Sequence, residues 1–181
     1  MFDKFTILIK HSSLWICVLI LLITMGCNRT KPQLPANREI KDTIALALIE
    51  LNQRYVQQAT TELAFYVSEN HVNYTLDEMG FWYRIVEAGN GPVALEQPTL
   101  TLHRQLYSLG DSIQLYRDEV MQVRPAKKEI MDAIDLAFPY FHVGDSVSIL
   151  APWYMAFGSK GDGDDILPYT SLRVELRIMQ E

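Results

Sequence analysis

The stretch Asp162-Gly163-Asp164-Asp165 puts three carboxylates within four residues. Oxygen ligands of that kind suit a hard cation such as calcium, with Asp111 or Asp145 to complete a shell. The spacing matches no EF-hand loop, so these acids are expected to be solvated carboxylates on a flap. His71, His103 and His142 offer ring nitrogens. They lack the H-x-x-x-H or paired-cysteine spacing that gathers ligands around zinc, so no metal and no cofactor is expected. No serine sits in the G-x-S-x-G context of a hydrolase nucleophile. The thiols are Cys17 and Cys27, so neither a disulfide nor thiol chemistry is available beyond Cys27. What frames the acids is apolar: "LAPWYMAFG" before them and "ILPYTSLRVELRI" after. The chemistry on offer is that of an apolar frame around a charged loop.

The chain has 181 residues, 49% hydrophobic, with a formal net charge of -6. That balance suits one acidic globular domain with an apolar end and argues against nucleic acid as a partner. The apolar excess lies early. Leu14 to Met25 carries no charge after Lys4 and Lys10. Twelve such residues are too few for a hydrocarbon core that needs about 20, and they fit the h-region of a signal peptide. "ITMGC" follows and resembles a bacterial lipoprotein signal, with Thr24 where an aliphatic residue is usual. The resemblance implies that residues 1–27 form the signal with Cys27 as the lipidated cysteine. Several acyl chains together hold a protein on a membrane. Residues 28–37 are polar and proline-punctuated, a tether.

Residues 38–79 are expected to be a helical segment. Ile40, Ile44, Leu48, Leu51 and Tyr55 fall on one face, with Asn37 as N-cap and Glu39 in the first turn. That face serves either to pack on its own domain or to form a homodimer through helix 38–70. After Gly80 the pattern changes to strands at 81–89, 100–107, 113–116, 143–152 and 171–178, punctuated by turns. Residues 126–141 are expected to be a short amphipathic helix ended by Pro139. The expected class is α+β, an antiparallel half-barrel sheet wrapped on a short helix.

"GFWYRIVEAGNGP" and "VGDSVSILAPWYMAFG", followed by a Gly-rich loop and "ILPYTSLRVELRI", resemble the opening strand and closing signature of the FKBP-type peptidyl-prolyl isomerases. The resemblance covers about Gly80 to Met179, within a domain set at 80–181. The preceding helix and the "GFWY" strand look most like the gliding-motility-associated lipoproteins of that family. The family's mechanism needs no nucleophile or metal. Rotation about an Xaa–Pro bond faces a barrier of roughly 18–20 kcal/mol, and a dry apolar pocket favours the twisted amide while a few N–H groups hold the carbonyls.

The resemblance also implies a site. Its catalytic positions fall at Met131 (through its N–H), Phe157, His103 and Gln114. Its substrate-binding positions fall at Ile113, Met121, Val123, Ile130, Ile134, Ile166 and Val174. Phe157 replaces a tyrosine, Ile134 a tryptophan, His103 a tyrosine and Gln114 an aspartate, so the apolar character is kept while polar handles are lost. Proline-containing envelope or secreted proteins are the expected clients, met from an outer-membrane lipoprotein that faces the periplasm. The alternative is an FKBP-fold module that binds or scaffolds without turnover.

Overall fold

The computed structural model describes residues 36–109 and 113–179, with side chains from Ile44 onward. The signal segment, Cys27, tether residues 28–35, Asp111 and the side chain of Ile40 lie outside the described residues. Residues 36 and 37, expected to end the tether with Asn37 as N-cap, already belong to a helix. The chain divides into two compact units, Met1–Leu46 and Ala47–Glu181; the second carries the sheet. Among the described residues, no helix is long and apolar enough to cross a membrane.

Helix α1 spans Ala36–Asn70. Its sequence has neither glycine nor proline and is rich in Ala, Leu, Glu and Gln, the residues that lose least on entering a helix. Asn70 Nδ2 donates to the Tyr66 carbonyl at 2.8 Å, and His71 turns into the left-handed region with φ 49°, a usual way to stop a helix. Ile44, Leu48, Leu51, Tyr55, Ala59 and Leu63 recur along it at spacings of three and four, with Leu46, Ile49 and Phe65 apolar on other faces. Its later part docks: Ala59 and Leu63 are buried, the Tyr55 ring stacks on Tyr169 with centroids 4.3 Å apart, and Trp153 Nε1 donates to the Tyr55 carbonyl at 3.2 Å. Its earlier part does not, for Ile44, Leu48 and Leu51 are 54%, 60% and 47% exposed.

The remaining elements are β1 (Thr75–Leu76), β2 (Trp82–Glu87), β3 (Leu100–Ser108), β4 (Leu115–Val123), helix α2 (Asp132–Asp135), β5 (Ser146–Ala151) and β6 (Leu172–Met179). The strands form one sheet in the order β1-β2-β5-β6-β3-β4, and every pairing is antiparallel. The α+β class expected from the sequence is thus the observed one. Period-two patterning fixes the inner face: Leu100, Leu102 and Leu106 on β3, and Leu172, Val174, Leu176 and Ile178 on β6, are buried. Phe81, Phe138 and Phe141 fill the core beside them.

Two expectations change. The strand placed at 113–116 begins later and runs longer, as Leu115–Val123, because it pairs along the whole of β3. The helix placed at 126–141 is a single turn at Asp132–Asp135, followed by a 3₁₀ turn at Phe138–Tyr140. The reason is local. Ala126 and Lys128 take positive φ of 60° and 56°, and their N–H groups donate to the buried Asp135 carboxylate at 2.8 and 3.2 Å. A side chain that captures backbone donors in this way competes with helix formation.

Candidate functional site

The candidate groove is defined by the sequence-implied positions: Met121 and Val123 on β4, Val174 on β6, Ile130 and Met131 before α2, Ile134 within it, and Phe157 and Ile166 at the two ends of the acidic loop. These side chains lie in or against one apolar cluster. Met131 stands immediately before α2 with extended backbone (φ -54°, ψ 143°). Its carbonyl accepts the N–H groups of Ile134 and Asp135 at 3.0 and 3.2 Å. Its own N–H lies outside the helix, where the first N–H groups of a helix have no internal acceptor. Phe157 follows the 3₁₀ turn Trp153–Met155 that leaves β5. Ile166 ends the loop and Val174 lies on β6.

Met131, Ile134, Val123, Ile166 and Val174 belong to one buried apolar cluster, and Met121, Ile130 and Phe157 pack against it half-buried. Leu106 and Tyr116 join the same cluster. Sequence reading missed both of them. Tyr116 arrives through a β-bulge: Leu106 pairs with Arg117 and Tyr107 with Leu115, which leaves Tyr116 as the extra residue. A bulge of this kind re-aims a side chain, and no sequence signal short of the full β4 register marks it.

Three expected site residues are placed elsewhere. His103 sits between the buried Leu102 and Arg104 and so faces the other side of β3; its Nε2 lies 2.6 Å from Asp118 Oδ1. The Gln105 amide, donating at 2.8 Å, and then His103 hold the Asp118 carboxyl below its usual range. Gln114 closes the β3–β4 turn, its N–H donating to Ser108 Oγ at 2.8 Å and its carbonyl accepting Ser108 N–H at 2.9 Å. Ile113 is 58% exposed and lines a cleft with Phe65 and Tyr66 of α1. The alternation of Leu100, Leu102 and Leu106 was the available signal for His103, since a one-residue shift moves a side chain across the sheet.

The polar groups near the groove are charged pairs. Arg104, buried on the inner face of β3, pairs with Glu119 opposite it on β4. Arg117 Nη2 donates to Asp162 Oδ2 at 2.6 Å, and Asp162 Oδ1 accepts the N–H groups of Asp164 and Ile166, both at 2.9 Å. The Asp164 N–H, with Ile166 N–H and Arg117 adding to it, holds the Asp162 carboxyl below the usual carboxylate value against the opposing effect of burial. Asp164 and Asp165 are exposed, as expected for a flap, whereas Asp162 is largely enclosed. Asp145 is committed to structure: its carboxylate accepts Gly89 N–H at 2.6 Å and His142 N–H at 2.7 Å.

No family model matches this sequence, and no curated protein does. Solved structures do match. A peptidyl-prolyl cis-trans isomerase from Pseudomonas syringae aligns at 15% identity over 71% of this chain and 93% of that one, with a TM-score of 0.56. FkpA from Escherichia coli aligns at 14% identity over 90% of this chain and 80% of that one, with a TM-score of 0.55. The N-terminal domain of FKBP42 from Arabidopsis thaliana aligns at 16% identity over 60% of this chain and 91% of that one, with a TM-score of 0.52. At these identities the likeness is one of fold, and the fold this chain adopts is that of the FKBP-type peptidyl-prolyl isomerases.

Proposed function

We propose that this chain is a peptidyl-prolyl cis-trans isomerase whose groove is bounded by Phe157, Ile130, Met121 and Tyr116. The observation that carries this reading is that Met131, a buried member of the apolar cluster, caps α2 with its N–H outside that helix's own hydrogen bonding. A proline ring seated on the half-buried aromatics leaves water behind, and the Met131 N–H receives the carbonyl of the twisting bond. The apolar wall favours the twisted amide, which has lost resonance and is less well solvated when planar order is broken. No group in this scheme exchanges a proton with the substrate. Titrating an isotopically labelled chain with a proline tetrapeptide tests it: amide shifts concentrated at Met131 and Phe157 support the reading, and shifts confined to the outer sheet face oppose it.

A second reading is a binding module without turnover. Phe157 favours it, because a phenyl ring offers no hydroxyl to the substrate, and so does the complete burial of Ile134 and Val174, which leaves the proline a shallow seat. In either reading the chain is proposed to be tethered through Cys27 as an outer-membrane lipoprotein facing the periplasm, with proline-containing envelope or secreted proteins as clients. A homodimer through helix 38–70 is proposed on the exposed stripe of Ile44, Leu48 and Leu51, and a place in gliding-motility or secretion machinery on the sequence resemblance alone.

A further inference from the structure

The acidic loop begins after Phe157, which packs against the apolar cluster, and ends on Ile166, which is buried in it. Its shape therefore bears on the seating of both. Inside the loop, three of the hydrogen bonds that fix that shape converge on Asp162. Gly158, Gly161 and Gly163 have φ of 70°, 71° and 82°, and glycine leaves the backbone free to choose many other states. Within the segment, Asp162 N–H donates to the Ile166 carbonyl at 3.1 Å, and Tyr169 N–H to the Gly158 carbonyl at 3.1 Å. Asp162, Asp164 and Asp165 carry like charges that oppose close approach.

One side chain from the sheet reaches into this loop. Arg117 Nη2 donates to Asp162 Oδ2 at 2.6 Å and to Asp164 Oδ2 at 3.2 Å, and Nη1 lies 3.4 Å from Asp165 Oδ2. Nη1 also donates to the Tyr116 carbonyl at 2.9 Å, which fixes the guanidinium against the bulge of β4. The Asp162 side chain is 9% exposed while Asp164 and Asp165 are largely in solvent, so the first pair dominates and the other two are screened. Asp162 then passes the constraint on, because its second oxygen accepts the N–H of Ile166, whose side chain is buried in the cluster.

We propose that Arg117 is a positioning residue, a latch that holds the acidic loop through Asp162 and so sets the seating of Ile166. This rests on the isomerase reading of the groove. Arg117 acts through the loop and touches no substrate.

The test uses the full chain with Arg117→Met, which keeps the apolar stem and removes the charge, and Asp162→Asn as an independent variant. Hydrogen exchange at the Asp164 and Ile166 amides is expected to quicken about tenfold in both, the scale of one charge-assisted hydrogen bond. Exchange at Ile149 and Val174 should stay as in the wild type. Arg117→Lys should restore part of the protection, and high salt should quicken loop exchange in the wild type more than in Arg117→Met. In a proline-peptide isomerisation assay the same variants should raise KM more than they lower kcat. Unchanged loop exchange in both variants overturns the latch, as does a rise spread equally through the sheet. Exchange needs no turnover: a wild type that is silent in the assay overturns the isomerase reading, while the exchange data decide the latch separately.

Discussion

At position 157 a phenyl ring stands at the rim of the apolar cluster, and nothing on that ring can donate to a carbonyl. Phe157→Tyr adds one hydroxyl at a half-buried position. If the groove is catalytic, the added hydrogen bond of about 0.5–1.5 kcal/mol should raise kcat/KM roughly three- to tenfold, read in a peptide isomerisation assay. Ile134→Trp is a poorer probe, because Ile134 is fully buried and overpacking costs about 1–3 kcal/mol. Asp135 illustrates a structural carboxylate. It is buried, and it accepts the N–H groups of Ala126 and Lys128, which hold the turn leading into Met131. Asp135→Ala should cost about 1–3 kcal/mol in urea unfolding, because two donors lose their acceptor inside the protein. A result near zero would mean that this turn carries no weight in placing Met131.

Among the elements, the long helix and the strands β3 and β6 were legible, whereas β4 and the short helix were not. Leu100, Leu102 and Leu106 on β3 and Leu172, Val174, Leu176 and Ile178 on β6 alternate cleanly, so both strands and their buried face followed from period two. The segment 126–141 misled because Ile130, Ile134 and Phe138 have helical spacing, while the conformation was decided by the Asp135 carboxylate. The family resemblance grouped Met131, Ile134, Ile166 and Val174, and the structure buries these four in one apolar cluster. His103 was legible from the alternation along β3, which sets it on the opposite face from Leu102, whereas placing Gln114 needed the course of the β3–β4 turn. Helix α1 makes its own test: Leu63 is fully buried, and Leu63→Ala should cost about 2–5 kcal/mol in denaturant unfolding. The acidic loop should respond to pH in one direction only. Asp162 has its folded pKa lowered, so its contribution is present above the unfolded value of about 3.9 and is lost as pH falls through the lower folded value. Loop amide exchange corrected for intrinsic rate should therefore stay flat from neutral pH to about pH 5 and rise only in stronger acid. A rise near pH 6 would point away from Asp162 to an imidazole.

For the whole molecule, fold and activity are separate questions. The six-stranded sheet, the short helix and the closing loop reproduce a known architecture with a sequence that shares 14% to 16% identity with its solved relatives. An apolar cluster suffices to preserve such a fold, and the polar handles can drift without unfolding it. The stripe at Ile44, Leu48 and Leu51 belongs to this scale as well. If two copies meet there, sedimentation should give a dimer that dissociates in a Leu48→Glu, Leu51→Glu double variant, with the sheet's unfolding midpoint unchanged. A wild type that sediments as a monomer at every concentration would leave the stripe to some other surface. The most direct test of the central claim is prolyl isomerisation in a protease-free peptide assay with residues 28–181, beside the Phe157→Tyr variant. The account predicts exchange faster than the thermal rate, which takes tens of seconds, and faster again in the variant. Two well-folded proteins that both leave the peptide at its thermal rate would contradict it.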